Sequence, residues 1–345
     1  MLNGLAVLNL LYSTSTPLSP PPRNITITLP DTPLAPSPLT PPGSSSHGEE
    51  IIRQFLDLGR LTQWKLVEKV KFEGDTFEPE GLVRLGDDHY FVSAGEYIAP
   101  TIRYNSTING TDRTTGEGFG HMIVFNGKGN RIADATITEA GSVEQYHNGG
   151  LDYDGTYIWA TLAQYRPNST ATLVRMRPST LDPEPMLHIA DHMGGAVHDL
   201  ATGNILTLNW GSRNASVWHP ARSKPKSAFA VPRAVLKNPS HYTDYQDCKY
   251  LGRFAFAMGG GLLSGRRSIM LCSGITGIYG VTIGGVALVD METMLPLYEV
   301  PLTMVSDLGT LVTKNPMDVA VVRGKMRLYF LPDERNSTLY VYEVA

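Results

Sequence analysis

The run GGAVHDLATGNILTLNW, residues 194–210, holds two short strands and the turn between them. A pair of small residues opens it, alternating residues follow, and the chain turns and enters an apolar strand. Alternation at period two marks a strand with one buried face. The pattern recurs in EGLVRLGDDHYFVS (80–93), GGLDYDGTYIWATL (149–162), QDCKYLG (246–252) and MDVAVVRGKMRLYFLPDE (317–334). Taking Gly81, Gly150, Gly195, Asp247 and Asp318 as equivalent gives intervals of 69, 45, 52 and 71 residues. A propeller blade takes roughly 40–50 residues. The two long intervals carry insertions, the loop 97–118 and the Gly-rich stretch 258–267.

Each unit offers two further strands, such as HMIVFNG with IADATIT (121–138), TLVRMRP with PMLHIAD (172–191), and GGVALVD with LPLYEVPL (284–302). Four strands make a blade. The last unit has only three, ending in TLYVYEV (338–344). WKLVEKVKF (64–72), with Trp64, Leu66, Val70 and Phe72 at period two, supplies a fourth. The expectation is an all-β chain: a β-propeller of five blades closed by an N-terminal strand, which leaves no open sheet edge. Six blades is the nearer alternative and a β-sandwich the more distant one. EEIIRQFLDL (49–58) places Ile51, Ile52, Phe55 and Leu56 on one helical face. Residues 1–48 read as a weak signal stretch (apolar at 5–12) followed by a disordered Pro/Ser-rich lead-in, and 49–345 as a single propeller domain.

A net charge of −4 with scattered Lys and Arg gives no nucleic-acid footprint. No apolar run reaches the roughly 18 residues of a membrane span. Six N-x-[ST] sequons, at Asn24, Asn105, Asn109, Asn168, Asn214 and Asn336, point to a glycosylated protein of the secretory pathway. The two cysteines, Cys248 and Cys272, fall on the first and second strands of unit four, where facing residues are close enough for a disulfide. Two buried thiols are the alternative.

In a propeller the loops entering the first strand and leaving the second open on one face. Ahead of the first strands stand Glu78, Glu80, His147, Asn148, His192, Asp244, Gln246, Asp247 and Asn315. After the second strands stand Glu96, Tyr165, Arg166, Asn209, Trp210, Arg213, Asp333 and Glu334. A polar ring beside Tyr, Trp and Arg suits a small organic molecule with aromatic or anionic character. His147, His192, Glu80, Arg213 and Tyr165 are the catalytic candidates; Trp210, Asn209, Gln246 and Asp247 are the substrate-binding ones. G-x-S-x-G, H-E-x-x-H, P-loop and dinucleotide signatures are absent. No cofactor is expected; the alternative is a divalent metal in the channel, held by Glu80, His147, His192 and Asp247.

HNGGLDYDGTYIWATLAQYRPNS (147–169), DHMGGAVHD (191–199), LNWGSR (208–213), NPSHYTDYQDCKYLG (238–252), MLCSG (270–274) and STLYVYE (337–343) resemble a family of propeller-like proteins of bacteria and fungi. The resemblance covers roughly residues 75–345 and implies the fold without an agreed activity. NPMDVAVV (315–322) departs from the family's usual residues, which puts the fifth blade's part in the channel in doubt.

The chain also looks similar to fungal hetero-Diels–Alderases of tropolonic sesquiterpene pathways. That likeness implies dehydration of a tropolone-like precursor to an o-quinone methide, which then adds to an alkene such as humulene. No catalytic residue of that group carries over position by position. Dehydration needs a general acid at the leaving hydroxyl, and cycloaddition needs mainly orientation. A secreted metal-dependent hydrolase or lactonase, and a lectin-like binding propeller without catalysis, are the competing expectations.

Overall fold

The computed structural model describes residues 25–138, 143–220, 229–241, 243–256 and 265–345. Five antiparallel sheets of successive strands form five blades. Blade one comprises Glu78–Leu85, His89–Ala99, Glu117–Asn126 and Arg131–Thr136. In blade two the innermost strand is broken into His147–Asn148 and Asp152–Tyr153, followed by Ile158–Ala163, Ala171–Met176 and Pro183–Ile189. Blade three comprises Met193–Asp199, Asn204–Asn209, Asn214–Trp218 and Ala234–Lys237. Blade four comprises Asp244–Ala255, Arg266–Ile278, Val281–Asp290 and Pro296–Leu302. Blade five takes Met317–Val322, Lys325–Phe330 and Thr338–Val344 from the C-terminus and Trp64–Lys71 from the N-terminal side. The closing strand pairs antiparallel with the C-terminal one, Trp64 facing Val344 and Lys71 facing Thr338.

Local sequence explains the hairpins. Between Val322 and Lys325 the chain reverses through Arg323 and Gly324, both at positive φ (53° and 75°). That two-residue geometry matches strand twist and favours glycine. At the hub, a Cβ on Gly81 would lie 2.5 Å from both Leu151 and Ser93 side-chain atoms, so only glycine lets the inner strands approach. Gly150 and Gly195 bridge blades two and three across the same centre.

The apolar faces meet between blades, one cluster at each of the five interfaces. Phe72, Tyr90, Phe125, Tyr329 and Val341 seal blade five against blade one. The interface of blades four and five also takes Ile51, Ile52 and Phe55 of the short helix Gly48–Leu56, all essentially unexposed. Blades one and two close on Phe91, Met122, Leu151 and Val174. The remaining two clusters join blade three to its neighbours. Every gap of the ring, the closing one included, thus has its own core. Cys248 and Cys272 face one another in register and form a disulfide, with Cα atoms 4.1 Å apart.

The expectation of a disordered lead-in through residue 48 is corrected for residues 25–48. Ile25–Ile27 adds a fifth, outermost strand to blade one. Pro33 and Thr40 offer backbone oxygens to His89 Nε2 (3.0 Å) and the Tyr153 hydroxyl (3.1 Å), and Ala35 and Ser44 are buried. A proline-rich segment has few donors, yet every residue keeps a carbonyl, and side chains of the blades supply the donors. The apolar stretch 5–12 and Asn24 lie outside the described residues. The inserted loop 97–118 holds a small hairpin of its own, Arg103–Ile108 with Thr111–Arg113. No helix among the described residues is long and apolar enough to cross a membrane.

Candidate functional site

The inner strands of blades one, three and four each carry a β-bulge at the same register. The pairing slips between Pro79 and Gly81, between Met193 and Gly195, and between Tyr245 and Asp247. Glu80, Gly194 and Gln246 are therefore the unpaired residues. A bulge re-aims the side chain it carries. In blade two the break at residues 149–151 stands at the matching place, with His147 just ahead of it. The inner strand of blade five has no bulge: Met317 and Asp318 pair regularly with Phe330 and Tyr329.

The result is a cavity of about 350 Å³ walled by Glu80, His147, Tyr165, His192, Asn209, Trp210, Asp244 and Gln246. Gly194 and the hairpin of blade four, with Ile275, Thr276 and Thr282, complete the wall. No blade-five residue lines it, in keeping with the departure noted at NPMDVAVV.

The rings form a chain of contacts. His147 stacks on Tyr165 at 5.1 Å and 24°, and His192 lies 5.1 Å from His147. Trp210 stands edge-on to His192 at 4.8 Å and to Tyr165 at 5.4 Å. Behind them Tyr97 meets Tyr165 and Tyr146 edge-on.

The two imidazoles have opposite electrostatics. His192 Nδ1 lies 2.7 Å from the Gln164 carbonyl oxygen, which can only accept, so Nδ1 carries the proton and Nε2 is the bare acceptor. Burial first, and then the neighbouring His147, push its pKa down to about 3. His147 Nε2 sits 3.5 Å from Glu80 Oε1, and both side chains are more than 90% buried. Burial opposes the His147 imidazolium, but attraction and hydrogen bonding to Glu80, with Glu78 adding, leave its pKa above the ordinary value. Glu78 is pushed up to about 8 by burial and by the Glu80 charge. Its carboxyl receives the Tyr97 hydroxyl and, at 3.4 Å, the Tyr165 hydroxyl. The Glu80 side thus favours the protonated form of His147, with a neutral Glu78 behind it, while His192 stays neutral with Nε2 bare.

Two candidates from the sequence sit elsewhere. Asp247, expected to bind substrate, is fully buried at the hub. Its Oδ2 accepts the amides of Leu82 (3.1 Å) and Met317 (3.2 Å); its Oδ1 accepts the Leu151 amide (3.1 Å) and Lys249 Nζ (2.6 Å). One carboxylate thereby ties blade four to blades one, two and five. Arg213, expected to be catalytic, clamps blade three to blade four instead. It donates to the carbonyls of Gly211, Ser240 and Thr243 and pairs with Asp244 at 2.7 Å.

Of the wider sets, Asn148 donates to the His121 carbonyl, and Glu96 faces His121 at 3.2 Å. Arg166 bonds Gln164, and Asn315 bonds the Pro332 carbonyl. Asp333 receives Ser306, and Glu334 pairs with Lys314. All are outside the cavity wall. Among the described residues no group of three or more His, Cys, Asp or Glu side chains is placed to hold a metal ion. The four proposed metal ligands do not converge, because Asp247 is held at the hub.

Sequence reasoning missed Arg113, Tyr97, Tyr146 and Gln164. Arg113, at the end of the inserted hairpin, lies 4.8 Å over the Trp210 ring and 5.7 Å over Tyr165. Its guanidinium also bonds Asp112, and burial leaves it 8% exposed. The only signal was the insertion itself, since a loop long enough to fold back over the channel mouth is a place to look. The sequon residues Asn105, Asn109, Asn168 and Asn336 are exposed and Asn214 is half-buried. Asn168 Nδ2 donates to the Gly110 carbonyl in the same hairpin, at 2.6 Å.

The sequence profile of a family described as "Family of unknown function (DUF6454)" matches residues 39–345. No curated protein sequence matches. Among solved structures, a hypothetical protein from Leishmania major aligns at 9% identity and TM-score 0.43, covering 80% of this chain and 90% of that one. A glycoside hydrolase aligns at 10% identity and TM-score 0.42, covering 85% and 94%. A DUF4623 family protein from Bacteroides eggerthii aligns at 9% identity and TM-score 0.40, covering 79% of this chain and 60% of that one.

Proposed function

This chain belongs to the DUF6454 family, and from that premise we propose that its cavity binds a small, flat, hydroxylated organic molecule and eliminates water from it by general acid–base catalysis. The observation that carries the reading is the pair of imidazoles 5.1 Å apart whose surroundings push their proton affinities in opposite directions. His147, backed by Glu80, donates a proton to the leaving hydroxyl as its C–O bond breaks. His192 Nε2, whose low proton affinity lets it hold a proton only in passing, takes the proton lost from the substrate and returns it to His147 5.1 Å away, so both imidazoles end as they began, water is the only by-product and no outside reagent is needed. Tyr165 and Trp210 hold the flat face. A positioned acid or base typically contributes about 10²–10⁴-fold.

The narrower form of the proposal is the hetero-Diels–Alder cyclase implied by the sequence resemblance. A hydroxymethyl tropolone loses water to an o-quinone methide, and humulene adds across it in the same cavity. Incubating that tropolone with humulene, with and without the protein, tests it. Product yield and stereochemistry equal to the protein-free control would reject the cyclase. Trapping the quinone methide with a thiol tests elimination by itself. If elimination is not accelerated either, the site is a binding pocket only. Among the described residues the metal-dependent hydrolase reading has no converging ligand set to support it.

Export through the secretory pathway is a further part of the proposal, supported by the sequons and the disulfide. Endoglycosidase treatment of the protein from its natural source should lower its mass; an unchanged mass counts against it.

A further inference from the structure

A second cavity, of about 640 Å³, shares no lining residue with the first. It lies at the other end of the strands. The acid–base residues cluster where the inner strands begin; Gly86, Asp87 and Arg323, which line this one, sit in the turns where inner strands end. It straddles the closing seam of the ring. Blade one contributes Arg84 and Tyr90, blade five contributes Arg323, Arg327 and Tyr329, and the lead-in Thr40–His47 forms another wall.

The lining is rich in donors. Arg84 lies 5.2 Å over the Tyr329 ring, and its Nε is buried with no hydrogen-bond partner. Its other end pairs with Asp87, a side chain 94% exposed, so that pair is screened by water and readily exchanged. Arg327 reaches Glu343 only at 3.3 Å, and Arg323 stands exposed on its hairpin turn. Three guanidinium groups line the cavity beside two carboxylates, Glu68 and Asp87, with Glu343 against Arg327 from outside the lining. Burial raises the pKa of Tyr90 to about 12 and also raises that of Tyr329, so both hydroxyls stay neutral. The His47 imidazole and the Thr40 hydroxyl also line the cavity and add polar partners for a bound group.

We propose that this seam cavity is a binding site for a small organic anion, whose carboxylate or phosphate head is taken by Arg84, Arg323 and Arg327 and whose body lies against Tyr90 and Tyr329. Guanidinium forks match both head groups, and a cavity of this volume holds a metabolite-sized molecule. Such a ligand touches blade one, blade five and the lead-in together, so it locks the ring closed. Anything that binds only the folded chain raises its unfolding temperature.

The test is thermal unfolding and titration calorimetry on the full chain with inorganic phosphate and, separately, citrate, against sodium chloride at equal ionic strength. One of the two anions should raise the unfolding midpoint by about 2 °C or more at ten millimolar beyond the chloride control. Which one acts identifies the head group. The shift should fall by at least half in Arg323→Gln, an exposed turn position that leaves the fold intact, and in Arg84→Lys, which keeps charge but loses the fork. The proposal is overturned if neither anion exceeds chloride, or if both variants respond like the wild type.

Discussion

Replacing Asp247 with asparagine exchanges one oxygen for an NH₂ group of nearly the same size, at a point where four donors converge. The carboxylate accepts the amides of Leu82, Leu151 and Met317 and the Lys249 ammonium. Asparagine keeps one accepting oxygen. Either way it turns, its NH₂ faces two donors in a site closed to water: the Leu82 and Met317 amides lose this acceptor, or the Leu151 amide does while Lys249 keeps only the Leu151 carbonyl. Each orphaned donor costs about 1–3 kcal/mol, and breaking a buried ion pair from one side costs about 3–5 kcal/mol. The expected loss is therefore about 3–5 kcal/mol, read from urea unfolding at pH 7.5. Lys249→Met should cost less, since Asp247 keeps its three amides. The double variant should be at least about 1 kcal/mol more stable than the sum of the singles, because neither charge is stranded. A pH series adds a second reading. Burial pushes the Asp247 carboxyl up to about 6 against the pull of Lys249. Between the unfolded value near 3.9 and that value the folded chain holds the extra proton, so wild-type stability falls as pH rises through this window. Asp247→Asn should flatten that part of the slope. A loss under about 1 kcal/mol with an additive double variant would refute the hub.

Four other outcomes follow from the geometry. Water elimination should fall on an alkaline limb as His147 loses its proton, and Glu78→Gln, which removes a carboxyl group that supports the imidazolium, should shift that limb to lower pH; a profile flat to pH 10 speaks against the acid side. His192→Phe keeps the ring but removes the accepting nitrogen, and should lower kcat by about 10²–10⁴ with little change in KM; an equal loss in Gln164→Ala, whose carbonyl remains, would point to packing instead. Arg113→Met should raise KM about 3- to 30-fold with kcat nearly unchanged, as expected for loss of a cation–π contact worth about 0.5–2 kcal/mol. Joint replacement of Cys248 and Cys272 by alanine should cost about 3 kcal/mol, given the 24-residue separation, and a loss below 1 kcal/mol would show that the hub already restrains these strands.

Blade count and closure were legible because both depend on period and order. The units beginning near Gly81, Gly150, Gly195, Asp247 and Asp318 supply the innermost strands, and Trp64–Lys71 completes the last blade. The cavity was legible in part for the same reason: residues at one register of successive blades meet on one face. Depth was not legible. Asp247 shares its register with the bulged positions to within one residue, yet that residue separates the cavity wall from the dry hub. Arg213 looked like a free cation because its partners are carbonyls, which any sequence can supply. The lead-in misled for a related reason, since composition counts apolar residues and overlooks the carbonyls that Pro33 and Thr40 present. Arg113 reaches the cavity through a hairpin whose path no periodicity encodes.

The aligned bulges at Glu80, Gly194 and Gln246 separate two demands that usually compete. A residue left out of the pairing ladder can change identity without disturbing the ladder, and all three line the cavity, Glu80 and Gln246 with side chains and Gly194 with bare backbone. These three positions act as sockets in a fixed frame. Exchanging side chains there would retune chemistry and leave folding to the hub and the five interfaces, so a single ring could be adapted to many substrates by substitution at very few sites.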